Sequence, residues 1–148
     1  MYDDILVPTD GSAGISHVVD HAARLARHHE ATLHGLYVVD TASLSDLPLE
    51  SSWDGVSQAL REEGDTALRS VRQQAGDLPV ETELVEGSPV DDIVGYARDC
   101  GCDLVVMGTH GRAGVDRLLL GSVAERVVRR SPVPVLTVRV SGPTDGID

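Results

Sequence analysis

Between residues 107 and 126 the chain reads MGTHGRAGVDRLLLGSVAER, with glycine at 108, 111, 114 and 121. An apolar run precedes this stretch, and a helical pattern opening at Ser122 follows it. Glycine lets a backbone approach an anion closely and take positive φ. The first N–H groups of a helix have no intrahelical partner and carry a partial positive charge. Together these parts can cradle a phosphate with main-chain amides. A connection of this length is also unusual unless it is functional or disordered. The plainer reading is that the glycines only shape turns and Gly121 only breaks the chain before a helix. Spacing alone leaves both readings standing.

Residue types exclude the commoner phosphate loops. A Walker A loop needs a lysine after its last glycine, and the chain contains none. The dinucleotide pattern G-x-G-x-x-G belongs after the first strand, where this chain reads DGSAGIS without that spacing.

The elements that must position the loop follow from periodicity. Ile5-Leu6-Val7, ended by Pro8, reads as a buried strand. From Ser12 to about His29 the pattern is helical, with Ile15, Val18, Val19, Ala22, Ala23 and Ala26 on one stripe. Thr32 to Val39 is a second strand, and residues 41–55 are polar and turn-rich. A second helix faces Val56, Ala59, Leu60, Ala67, Leu68, Val71 and Ala75 inward. Val80, Thr82 and Leu84 alternate with Glu81 and Glu83, as an edge strand with one wet side does. Ser88-Pro89-Val90-Asp91 is a helix start with a capping hydroxyl, and Gly101 is its stop. Leu104 to Met107 is an apolar strand. Ser122 to Glu125 is a second capping box, opening a helix to about Arg130, and Val135 to Val140 is the last strand.

Strands alternating with helices predict an α/β fold: a doubly wound, five-stranded parallel sheet, helices on both faces, in the order 3-2-1-4-5. Strands 1 and 4 are then central neighbours. The crevice beyond their C-terminal ends, where the winding reverses, is the ligand position of such sheets. Pro8-Thr9-Asp10-Gly11 and Met107-Gly108-Thr109-His110-Gly111 both open onto it. Residues 1–141 are expected to form one domain and 142–148 a frayed tail.

Composition narrows the partners. The 148 residues carry a formal net charge of −12, and every one of the 12 basic residues is arginine. Such a surface repels nucleic acid and anionic lipid unless it carries a basic patch, and the longest basic run is Arg129-Arg130. An acidic, lysine-free chain suits a salt-rich cytosol, although a GC-rich genome also replaces lysine with arginine. No leader-like or membrane-length apolar run is present, so a cytoplasmic location is expected. Cys100 and Cys102 stand too close in sequence to pair well and are expected to be reduced.

The spacing G108-x2-G111-x9-G121-S122 resembles the ATP-binding signature of the universal stress protein family. The resemblance extends to ILVPTDGS, LHGLYVVD, DLVVMGTHGR and GSVAERVVRRSPVPVLTV, nearly the whole chain. It implies a Rossmann-like domain of the adenine-nucleotide-hydrolase type that binds ATP. Pro8, Thr9 and Asp10 would lie beside the nucleoside, Val38 would offer backbone groups to adenine, and Met107 and Gly108 would floor the pocket. Gly111 and Arg112 would meet the phosphates, with Gly121, Ser122, Val123 and Ala124 holding them. His110 either contacts a terminal phosphate, helps a slow hydrolysis, or only packs the loop. Within an acidic protein the triphosphate calls for Mg²⁺ or Mn²⁺, with Asp10 the candidate to hold it through water. The resemblance also implies a homodimer through the last strand, about Val135–Val140, and an unidentified regulatory partner.

His17, His21 and His28 line the outward face of the first helix and read as solvated. Trp53 reads equally as part of a lid over adenine or as a side chain packed on the second helix. No catalytic triad or nucleophile elbow stands out. Three functions remain open: an ATP-binding regulatory module with at most slow hydrolysis, an enzyme of the related hydrolase architecture, and a dimeric interaction protein with an empty cleft.

Overall fold

The computed structural model describes residues 1–12, 14–41, 53–109 and 120–140, with the backbone alone for 53–57. The elements are β1 (Asp4–Pro8), α1 (Ile15–His29), β2 (Thr32–Asp40), α2 (Trp53–Ala75), β3 (Val80–Gly87), α3 (Pro89–Asp99), β4 (Leu104–Gly108), α4 (Ser122–Arg130) and β5 (Val135–Val138). The five strands form one sheet in the order β3-β2-β1-β4-β5, and every pairing is parallel. This is the predicted order, and it places β1 and β4 side by side at the centre.

Alternate residues of a strand face opposite sides of the sheet. Ile5 and Val7 of β1 pack with Val18, Val19, Ala22 and Ala26 of α1 and with Val71 and Ala75 of α2. Leu6 turns the other way, to Val90, Ile93, Val94 and Ala97 of α3 and to Ala124 and Val127 of α4. The sheet is therefore covered on both faces, and its central strands read as unbroken apolar runs. The β3 edge keeps its predicted alternation, with Glu81, Glu83 and Glu86 exposed.

One polar group sits deep in this core. His34 is buried, with Nε2 at 2.9 Å from Asp4 Oδ1 and Nδ1 at 2.9 Å from the Tyr96 hydroxyl. A carboxylate only accepts, so the bond at Nε2 is donated by the ring, while Nδ1 shares a hydrogen bond with the Tyr96 hydroxyl. Both ring nitrogens are satisfied, which is what makes the burial tolerable.

Three helix starts depart from the expected capping pattern. α1 begins at Ile15 rather than Ser12, because the Asp10 carboxylate takes the Ser12 N–H at 2.9 Å and the chain turns first, with Gly11 at φ 74°. Ser88 does cap α3, but its hydroxyl makes no capping bond. Asp91, expected to reach back, is held by Arg130 at 2.6 Å instead. α4 is capped by Gly121, not Ser122, and glycine has no side chain to bond the first amides. On α2, Ala59 is exposed rather than inward, while Ala67, Leu68, Val71 and Ala75 are buried as expected. α2 begins at Trp53, inside the stretch 41–55 that was expected to be turn-rich. β5 stops at Val138, short of the expected Val140, because the Val140 N–H turns to the Thr109 side chain.

Candidate functional site

The exits of β1 and β4 form the two walls of the predicted crevice. Leu6 pairs with Val105, so following both strands forward brings Thr9 level with Gly108. Thr9 is buried, and its N–H donates to Leu36 O at 2.8 Å, tying the first wall to β2. Its hydroxyl accepts the Gly11 N–H at 3.2 Å. Pro8 and Asp10 are half-buried beside it. Pro8 pairs with Leu36, so Val38 stands further along β2, at the same end of the sheet.

On the second wall Met107 is buried and Gly108 half-buried, paired with Thr137 and Val138 of β5. The Gly121 N–H donates to Thr109 O at 2.7 Å, which fixes the start of α4 against the end of β4. The first backbone bond within α4 runs from Glu125 N–H to Gly121 O. The amides of Ser122, Val123 and Ala124 thus lie ahead of it, and among the described residues no side chain caps them. Ser122 and Val123 are exposed and Ala124 is buried. This helix end can accept an anion. His110, Gly111 and Arg112 lie outside the described residues, as do Gly114, residues 42–52 and the tail 141–148.

The family model described as Universal stress protein family matches residues 1–139. The chain belongs to that family. It is 42% identical over 141 residues to the universal stress protein MJ0531 of Methanocaldococcus jannaschii, covering 94% of this chain and 83% of that one. The structure of MJ0577 from the same organism superposes with a TM-score of 0.84 at 30% identity, covering 96% of this chain and 99% of that chain. A universal stress protein solved in complex with cAMP gives a TM-score of 0.70 at 29% identity, covering 95% and 98%.

Other residues singled out by type fall away from the crevice. His17, His21 and His28 are exposed on α1. Among the described residues no group of three or more His, Cys, Asp or Glu side chains is placed to hold a metal ion. Cys100 is exposed and Cys102 buried, both as free thiols. No helix among the described residues is long and apolar enough to cross a membrane. Sequence reasoning missed Thr109, which joins β4, α4 and the end of β5. Its only prior signal was its place beside Gly108. It also missed the Asp4–His34–Tyr96 chain, whose signal was a lone histidine inside an apolar strand.

Proposed function

We propose that this universal stress protein is an ATP-dependent regulatory module of the cytoplasm that binds ATP with Mg²⁺ or Mn²⁺ and hydrolyses it slowly or not at all. One observation carries the reading: the amides of Ser122, Val123 and Ala124, which no side chain among the described residues caps, start beside the exit of β4, which itself adjoins the exit of β1. Main-chain donors replace the lysine that the chain lacks. The cAMP complex of a relative at 29% identity supports an adenine nucleotide as the ligand. Pro8, Thr9, Asp10 and Val38 would border the nucleoside, and Met107 and Gly108 would floor it. His110, Gly111, Arg112 and residues 121–124 would receive the phosphates. Asp10 would hold the cation through water; its Oδ1 already accepts the Ser12 N–H, which orients the carboxylate.

The protein would act as a homodimer through the β5 edge, whose four residues are half-buried. Nucleotide would set the surface that a regulatory protein partner reads.

Calorimetric titration of the full chain with ATP and Mg²⁺ should show saturable binding. Gly121 has φ −65° and ψ 159°, a conformation that valine also adopts. Gly121→Val should therefore lose ATP while remaining folded. Equal binding by that variant, or no binding by the parent, sinks the reading. ATP turnover should stay below about 0.1 s⁻¹, against an enzyme median of ~10 s⁻¹.

A further inference from the structure

Thr109 makes three bonds to two other parts of the chain. Its N–H donates to Val138 O at 3.0 Å, and its carbonyl oxygen accepts the Gly121 N–H at 2.7 Å. Its hydroxyl oxygen accepts the Val140 N–H at 3.2 Å. The Val140 side chain then packs on the main chain of Gly14, where a β-carbon would fall inside it. A continuous line of contact thus runs from the turn after β1, through Val140 and Thr109, to the first amides of α4. It joins both walls of the crevice.

The hydroxyl bond lies past Val138, where β5 has left the sheet. Ladder pairing cannot hold the chain there, so the side chain does. Valine has the same shape but no acceptor. The aim of a preorganised donor set matters steeply, since a misplacement of about 1 Å can cost on the order of a hundredfold.

We propose that Thr109 is the positioning residue of the crevice: its carbonyl oxygen holds the α4 amides on the phosphates and its hydroxyl holds the β5 exit that braces the opposite wall. The ligand in this statement rests on the nucleotide reading above; the bracing itself does not. Thr109 acts through Gly121 and Val140.

The test compares the full-length parent with Thr109→Val, Thr109→Ser and Val140→Pro. The proline removes the donor from the other side of the same bond. ATP·Mg²⁺ affinity is read by calorimetry, and exchange of the Gly121 amide is read by NMR. Thr109→Val should bind about tenfold more weakly, the size of one lost hydrogen bond, and Thr109→Ser should stay within about twofold of the parent. In both Thr109→Val and Val140→Pro the Gly121 amide should exchange faster. The double variant should lose less than the sum of the two single losses, because both remove the same bond. Binding by Thr109→Val within about twofold of the parent, additive losses in the double variant, or unchanged Gly121 exchange would each overturn the proposal. If the parent binds no adenine nucleotide, the nucleotide reading fails and the exchange data alone decide the bracing. If Thr109→Val does not fold, Val140→Pro against Thr109→Ser carries the same comparison.

Discussion

The main chain of Gly14 lies directly against the side chain of Val140, so the turn that follows the first strand is closed by a residue just past the last one. Gly14 sits at φ −79°, where alanine is at ease. Only the contact forbids a β-carbon. Gly14→Ala should destabilise the protein by about 1–3 kcal/mol, the usual cost of overpacking. Adding Val140→Ala should return most of that loss. Urea denaturation of the two singles and the double checks this; a Gly14→Ala variant as stable as the parent would remove the contact from consideration.

Asp10 has two assignments that one substitution separates. Its Oδ1 shapes the turn by accepting the Ser12 N–H, and its charge is proposed to hold the cation. Asp10→Asn keeps an acceptor and loses the charge. The melting temperature should stay near the parent's. The gain in ATP affinity on adding Mg²⁺ should shrink by about tenfold, or ~1.4 kcal/mol. An undiminished gain assigns the cation elsewhere.

The two thiols should differ sharply in reactivity. Burial first, then the carboxylate of Asp4, pushes the Cys102 thiol up to about 12. Cys100 is exposed. The thiolate is the reacting species, so at about pH 8 a thiol reagent should titrate Cys100 promptly and Cys102 only on unfolding. Two fast equivalents from native protein would contradict the packing around Cys102.

Asp92 carries a pH dependence. Burial, and next the Asp91 carboxylate, raise its carboxyl above the ordinary 3.8, while the Ser88 N–H pulls it down. Its Oδ2 is buried and has no hydrogen-bond partner among the described residues. The folded state holds this proton more tightly than the unfolded chain does. The contribution to stability is therefore complete below the ordinary value and is lost as pH rises through the folded one. Asp92→Asn should raise the melting temperature near pH 7 and leave it unchanged near pH 3. A lower melting temperature at neutral pH would show that the ionised carboxylate is useful there.

The sheet order and the crevice were legible because they rest on local patterns: unbroken apolar runs at Ile5–Val7 and Leu104–Met107, and a helical stripe from Ile15 to Ala26. The caps were less so. Asp91 sits where a capping box wants an acid, yet Arg130, from a helix far along the chain, outcompetes the cap. The need for glycine at 14 arises only when Val140 arrives, and the use of Thr109 only when β5 and α4 converge on it. His34 finds Asp4 and Tyr96 across the fold in the same way. Contacts between residues distant in sequence leave no periodic trace. The roles proposed for Gly121 and Ser122 rest on the resemblance, beside the phosphate cradle that glycine and a helix start allow on physical grounds.

The glutamates along β3 have a meaning for assembly. Glu81, Glu83 and Glu86 stand out from the outer strand at one end of the sheet, while the half-buried valines of β5 border the other. A ribbon fenced on one side can lengthen only from the other. Two copies that met across their unfenced margins would present charge at both extremities, and growth would stop at a pair instead of running on into a filament.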